Sequence, residues 1–134
     1  MLFPPRVGRR GRGPASMTGT VTLFSAVPDA SRRAPVAADR LVSGQPETIT
    51  DNRYSSADGL THAGEWEATT GAWRVRYDEW EYCRILFGRG RLIGDDGVIR
   101  DIGPGDAFVI EPGFSGVWEV QDRMRKAYVV RLSE

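Results

Sequence analysis

Several side chains that could take part in acid–base, nucleophilic or metal chemistry lie close together near the middle of this chain. Glu79, Glu81 and Cys83 alternate with aromatic residues in one stretch, and His62 is the single histidine. Because residues i and i+2 share one face of a strand, Glu81 and Cys83 are expected on the same face. Carboxylate, thiolate and imidazole groups bind divalent metals, so the weak candidates for a metal site are His62, Glu79, Glu81 and Cys83.

Glu81 has two interpretations, and the sequence leaves both open. In an apolar interior the pKa of its carboxyl group would be raised, and the group could act as an acid or base. It could equally form an ion pair with Arg89 or Arg91. Cys83 would need a basic partner to act as a nucleophile, and only His62 could supply an imidazole. No complete catalytic set is predicted, so the catalytic residues are unknown.

The elements that must position these side chains are predicted to be strands. From Thr61 onward, apolar and polar residues alternate with a period of two. Thr70-Gly71 is predicted to be a two-residue hairpin loop, with Gly71 supplying a positive φ. In that register Glu67 faces Arg74, which would pair opposite charges across the two strands.

A second hairpin is predicted around Asp95-Asp96-Gly97. With a three-residue loop and a left-handed Gly97, Ile93 faces Ile99 and Arg91 faces Asp101. Further Gly-Pro and Pro-Gly turns follow. About eight short strands separated by turn signals predict an all-β sandwich or barrel.

Several segments follow one another in a specific order. They are G-E-W-E at 64–67, the Gly71 turn, the stretch 79–88, G-P-G-D-A-F-V-I at 103–110, P-G-F-S-G-V-W-E-V at 112–120 and R-K-A-Y at 125–128. Over residues 39–131 they resemble the short single-domain cupins related to ureidoglycine aminohydrolase and the ethanolamine-utilisation cupin. This resemblance implies an all-β fold, namely a cupin-type double-stranded β-helix (a conical jelly-roll barrel) with an irregular N-terminal arm.

The resemblance also identifies the positions where metal-binding cupins carry their ligands. Two histidines and a glutamate of the first motif fall on Val75, Tyr77 and Glu81, and the histidine of the second motif falls on Gly116. Only Glu81 is a metal donor, whereas a zinc, iron or manganese site needs three or four. We therefore expect no cofactor, and a divalent metal only if other donors have replaced the usual set.

Without that metal, the expected function is the binding of a small polar molecule in the barrel mouth. The ligand-binding residues would be Tyr77, Glu81, Cys83, Trp73, Phe108 and Trp118, because aromatic walls with a few polar groups are typical of such pockets. The alternative is a cupin enzyme with a non-standard metal site, acting on a C–N bond, as in a ureidoglycine aminohydrolase, or on a sugar derivative. A third interpretation also stays open, in which the tryptophans serve only as core or interface bulk.

The chain of 134 residues is expected to form one domain. Residues 1–17 are expected to be a disordered tail or a mis-assigned start, 18–45 an irregular arm packing on the barrel, and 46–134 the barrel. Residues 1–40 hold seven arginines and two aspartates, against eleven basic and sixteen acidic residues in the rest. Such a basic head can contact nucleic acid. No aromatic residue is interleaved with its first arginines, so nucleic acid is not an expected partner.

Location and assembly follow from simpler features. The single cysteine excludes an internal disulfide, and no run of eighteen apolar residues predicts a membrane-spanning helix. A cytoplasmic protein is therefore expected, with no membrane partner. If Glu81 points inward, then Trp80, Tyr82 and Leu86 point outward and form an apolar face. Such a face usually marks a contact, so either the arm or a second subunit covers it, and we expect a homodimer.

Overall fold

A computed structural model describes residues 19–134 of the chain, and the predicted tail at 1–17 lies outside them. The described part is built almost entirely from strands, which confirms the all-β prediction. After a short 3-10 helix at Phe24–Ala26, the strands are β1 (Arg32–Pro35), β2 (Leu41–Gly44), β3 (Glu47–Ser55), β4 (Thr61–Ala68), β5 (Gly71–Arg76), β6 (Trp80–Gly94), β7 (Ile99–Ile102), β8 (Ala107–Ile110) and β9 (Ser115–Arg131).

The two longest strands, β6 and β9, form the central antiparallel pair of a curled sheet. Along its other edge β9 pairs with β4 and with β5, and the sheet continues outward in the order β1-β3-β4-β9-β5-β2. Strands β7 and β8 extend the sheet beyond β6. The core fills the concave inner face and is rich in aromatic side chains, among them Trp66, Trp73 and Trp118.

The hairpin predicted at Thr70-Gly71 is wrong, because β4 and β5 run end to end along β9. Ala68 is opposite Met124, and Gly71 is opposite Val120, so the chain continues in one direction across the junction. Gly71 has φ +156°, and a Cβ there would lie 2.6 Å from Pro46 Cδ. This glycine therefore serves a close contact, not a reversal of the chain.

The second predicted hairpin is confirmed residue by residue. Ile93 is opposite Ile99, and Arg91 is opposite Asp101, with 3.0 Å between Arg91 Nε and Asp101 Oδ1. Gly97 has φ +83°. This hairpin closes over few residues, so its own side chains determine its register.

The segment predicted as an irregular arm, 18–45, contains two of the nine strands. β1 pairs with β3 at one end of the sheet order, and β2 pairs with β5 at the other end. The chain between them turns at Ala37–Leu41, where two backbone hydrogen bonds join residues three apart. The arm therefore joins the part of the sheet that contains β3 and β4 to the part that contains β5.

The alternation of β6 follows the prediction. Glu81, Cys83 and Ile85 are buried on the inner face, and Tyr82 is partly exposed while Leu86 is exposed on the outer face. No described helix is long and apolar enough to cross a membrane. The homodimer and the cytoplasmic location stay predictions.

Candidate functional site

A buried ion pair lies on the inner face of the two central strands. Lys126 on β9 donates a hydrogen bond from Nζ to Glu81 Oε2 on β6 at 2.6 Å, and the two side chains are 2% and 0% exposed. The Cys83 thiol donates to the same carboxylate oxygen at 2.9 Å. From the sequence, Arg89 or Arg91 was a possible ion-pair partner of Glu81. In the structure the partner of Glu81 is Lys126.

Two indole rings fix the Lys126 ammonium from the sides. Its Nζ lies 4.6 Å from the centroid of Trp66 and 4.7 Å from that of Trp118. The two rings are themselves perpendicular, with centroids 5.8 Å apart. A cation desolvated over an aromatic face gains about 2 kcal/mol. The ammonium is thus held by one carboxylate and two π faces in a fixed position.

The protonation states around this pair are set by burial and by neighbouring charges. Burial alone would lower the pKa of Lys126, but the Glu81 carboxylate at 2.6 Å outweighs it and raises the pKa above 10.5. Burial, followed by the charge of Glu81, raises the pKa of Tyr77. Burial also raises the pKa of Cys83. All three groups therefore stay protonated near neutral pH, and Cys83 is a thiol that donates to Glu81, not a thiolate nucleophile.

A cavity of about 200 Å³ opens above the Lys126 ammonium. Tyr77 ends the β5 segment of its wall, where its backbone N–H donates to Phe114 O and its carbonyl accepts from Gly113 N–H. Strand β1 and the turn after it form the opposite wall. The lining side chains of the mouth and floor include Trp66, Trp73, Trp118, Tyr77, Val75, Lys126, Glu79, Thr48, Thr50, Arg32, Arg33, Arg40 and Arg76.

The structure brings most of the predicted ligand-binding residues together. Tyr77, Trp73 and Trp118 line the cavity, and Glu81 and Cys83 lie behind Lys126. Phe108 does not line it. Its ring lies 6.4 Å from that of Trp118, and its outer side belongs to a separate groove along β7 and β8.

Lys126 and Trp66 were not predicted as site residues, and they are neighbours in the sheet. Trp66 is opposite Lys126 in the register of β4 and β9. The signal was present, because Met124, Lys126, Tyr128 and Val130 alternate with the outer residues of β9 and are all buried. A lysine at an inward position of such a strand requires a buried partner.

The residues at the family's metal positions do not fit a metal ion. Val75 is apolar, and a side chain on Gly116 would collide with the Ile93 carbonyl oxygen. Glu81 is neutralised by Lys126, and Tyr77 stays protonated. Among residues 19–134, no three His, Cys, Asp or Glu side chains are close enough together to hold a metal.

The other weak metal candidates are dispersed. His62 donates from Nε2 to Gly59 O at 3.0 Å, because a carbonyl can only accept, and its Nδ1 then accepts from the Ser55 hydroxyl at 2.8 Å. Both ring nitrogens are thereby used. Glu79 lies at the mouth of the cavity, and the Cys83 thiol is bound to Glu81.

This fold and its buried site define a cupin, a small β-barrel with a pocket in its mouth. The chain belongs to the EutQ-like cupin domain family, which matches residues 55–128. No curated protein matches the sequence.

Three solved structures share the fold at low sequence identity. A DUF861-family protein of unknown function from Pseudomonas syringae pv. tomato has a TM-score of 0.69 and 19% identity over 78% of this chain and 45% of its own. The Clostridium difficile EutQ protein has a TM-score of 0.59 and 18% identity, over 66% of this chain and 65% of its own. An ectoine synthase from P. lautus has a TM-score of 0.60 and 14% identity, over 84% of this chain and 78% of its own. This chain thus spans less than two thirds of the length of the first two of these proteins.

Proposed function

We propose that this protein binds a small polar molecule in the cavity above Lys126. The observation that carries the proposal is a buried ammonium, fixed by Glu81 and two indole rings, in the lining of a cavity of about 200 Å³. At about 30 Å³ per water, that space equals roughly seven water molecules. Apolar walls with a few fixed polar groups are what small-molecule sites use.

Stability alone gives a weak reason to keep such an ion pair. Replacing a buried ion pair by apolar residues of similar volume is often neutral or stabilising, by about 1–4 kcal/mol. The core around Lys126 is apolar and aromatic, so an apolar side chain would suit this position. Retention of the charge is therefore better explained by a ligand than by the fold.

The test compares the wild type with the double variant Lys126→Met/Glu81→Met. A panel of small carboxylic acids, amides, sugars and purines is screened by thermal shift and by tryptophan fluorescence, since three of the four tryptophans line the cavity. We expect saturable binding to the wild type that the double variant loses while it keeps its unfolding transition. Equal binding by both proteins would contradict the proposal.

The single variant Glu81→Gln separates charge from shape. It keeps the size of the side chain and removes the carboxylate that orients Lys126. We expect weaker binding of any panel compound that the wild type binds. Unchanged affinity would assign Glu81 a purely structural role.

The second candidate is a cupin enzyme that acts on a C–N bond or a sugar derivative. It is favoured by the presence of two protonated donors, Lys126 and Tyr77, on one cavity. Such donors can stabilise a developing negative charge by hydrogen bonds, but the neighbouring carboxylate of Glu81 is already bound to Lys126. Ammonia release from ureidoglycine, measured beside an elemental analysis of the purified protein, tests it. Turnover or stoichiometric metal would favour this enzyme.

A further inference from the structure

We propose that the cavity selects small organic anions, and that residues 32–40 of the N-terminal arm supply the groups that bind the acid. This inference rests on the proposed function, because it assumes that the cavity binds a ligand. It adds the chemical class of the ligand and assigns the arm a part in the site.

The arm reaches the site because β1 pairs with β3 and β2 pairs with β5, and residues of β3 and β5 line the cavity. Arg32 is opposite Thr50 on β3, and Thr50 is in turn opposite Trp66. After the turn, Leu41 is opposite Trp73 on β5. Only residues 36–40 join these two strands, and this crossing contributes Val36 and Arg40 to the cavity lining. The Arg40 carbonyl accepts from the Arg74 N–H at 2.8 Å, which fixes this crossing to β5.

Basic groups outnumber acidic ones around the cavity. Five basic side chains line it, and three of them form an ion pair with a carboxylate. These pairs are Arg33 with Glu47 at 3.8 Å, Arg76 with Asp78 at 4.0 Å, and Lys126 with Glu81 at 2.6 Å. Within residues 19–134, Arg32 and Arg40 have no ion-pair partner. The three paired carboxylates lie outside the cavity lining, and Glu79 is the one carboxylate among the described lining residues. Five basic groups thus meet four carboxylates, which leaves one positive charge for a monoanion.

The remaining walls fit the body of such a ligand. Trp66 and Trp73 lie with centroids 6.0 Å apart and provide flat apolar surface. The buried Nε1 of Trp118, another lining residue, has no hydrogen-bond partner among residues 19–134. A guanidinium binds a carboxylate or a phosphate through two parallel hydrogen bonds. A flat molecule with one acid group at the arginine end would use all of these features.

Three probes that share a phenyl ring test the class of ligand: benzoate, its neutral counterpart benzamide, and phenyl phosphate. Affinities are measured on the full chain by tryptophan fluorescence and checked by calorimetry. A hydrogen bond to a charged group contributes about 1.5–3 kcal/mol, so benzoate should bind about ten- to a hundred-fold more tightly than benzamide. Tighter binding of benzoate than of phenyl phosphate would identify a carboxylate site, and the reverse order a phosphate site.

The double variant Arg32→Gln/Arg40→Gln tests the role of the arm. It should lose at least about ten-fold in benzoate affinity and leave benzamide affinity unchanged. Arg84→Gln is the matched control, because Arg84 is exposed on the outer face of β6, away from the cavity. That variant should bind all three probes as the wild type does.

Two outcomes would overturn this inference. In the first, benzamide binds as tightly as benzoate, or the double variant keeps its benzoate affinity. The cavity would then bind ligands without selecting for charge. If the double variant Lys126→Met/Glu81→Met loses binding in that case, the proposed function is still supported. In the second, none of the three probes binds saturably, which rejects the anion class while the wider compound panel still decides the proposed function.

Discussion

Arg125 and Lys126 are adjacent on β9, point to opposite faces of the sheet and have opposite surroundings. On the outer face, Arg125 donates to three carboxylates: Glu65 at 2.8 Å, Glu67 at 3.2 Å and Asp51 at 3.3 Å. On the inner face, Lys126 donates to Glu81 and otherwise contacts indole rings. The guanidinium side chain is 22% exposed and the ammonium side chain 2%.

The difference shows two uses of a buried or half-buried charge. A guanidinium presents five donors in a planar fork, which lets Arg125 join carboxylates from β3 and β4 to β9. An ammonium is a compact point charge, and Lys126 carries that charge beneath a cavity. The outer network connects strands, whereas the inner pair keeps a cation in the wall of a pocket at a desolvation cost.

The largest expected effect comes from breaking the inner pair on one side only. Lys126→Met leaves the Glu81 carboxylate buried without its cation, which costs about 3–5 kcal/mol of unfolding free energy. Urea unfolding followed by fluorescence measures this loss. The double variant Lys126→Met/Glu81→Met removes both charges and should recover most of the stability.

The single and the double variant together show whether the buried ion pair lowers the free energy of unfolding. If the single variant is as stable as the wild type, then water reaches Glu81, and the pair is not desolvated as described. If the double variant is as unstable as the single one, the methionines fail to fill the space, and the ion pair contributes to stability in its own right.

A smaller effect is expected on the outer face. In Arg125→Ala, Glu67 keeps Arg123 at 2.6 Å and Asp51 keeps Arg53 at 2.8 Å. Glu65 loses its ion pair, but its side chain is 38% exposed and water can solvate it. We expect a loss of about 1–2 kcal/mol, between the values for an exposed ion pair and for a hydrogen bond to a charged group. A loss as large as that of Lys126→Met, in the same urea assay, would remove the contrast between the two faces.

The fold was predictable from the sequence wherever pairing is local. The β6–β7 hairpin closes over few residues, so turn chemistry and charge pairing at Arg91 and Asp101 were enough to set its register. The β4–β5 prediction failed because the same alternation is satisfied by pairing with β9, whose partner residues lie 39 to 70 positions further along the chain. Charge complementarity identified Glu67 as a paired residue but not Arg125 as its partner.

The site was only partly predictable, for a similar reason. Tyr77, Trp73 and Trp118 could be placed because their motifs are local. Lys126 could not, because it meets Glu81 across 45 positions of sequence and only through the shared pairing of β6 with β9. The arginines of the arm carried no periodic signal, so their place at the cavity depended on how the sheet closes.

The smallest expected effect is on the pH dependence of stability, which runs in opposite directions for the outer and the inner face. Burial alone would raise the pKa of Glu67, but Arg123 and Arg125 lower it below 4.5. Its contribution to stability is therefore complete above pH 4.5 and is lost as the pH falls through the folded-state pKa. The pKa of Lys126 is raised, so its contribution is complete below pH 10.5 and is lost only as the pH rises from there.

Acid should thus weaken the outer network and leave the Lys126 charge in place. Arg125→Ala moves the pKa of Glu67 back toward 4.5, so its unfolding free energy should fall less steeply than that of the wild type between about pH 5 and pH 3. Urea unfolding at a series of pH values measures both slopes, with Arg84→Ala as the control for the loss of one exposed positive charge. Identical slopes for wild type and Arg125→Ala would mean that Arg123 alone holds the Glu67 carboxylate ionised, and that the network on the outer face consists of separate pairs.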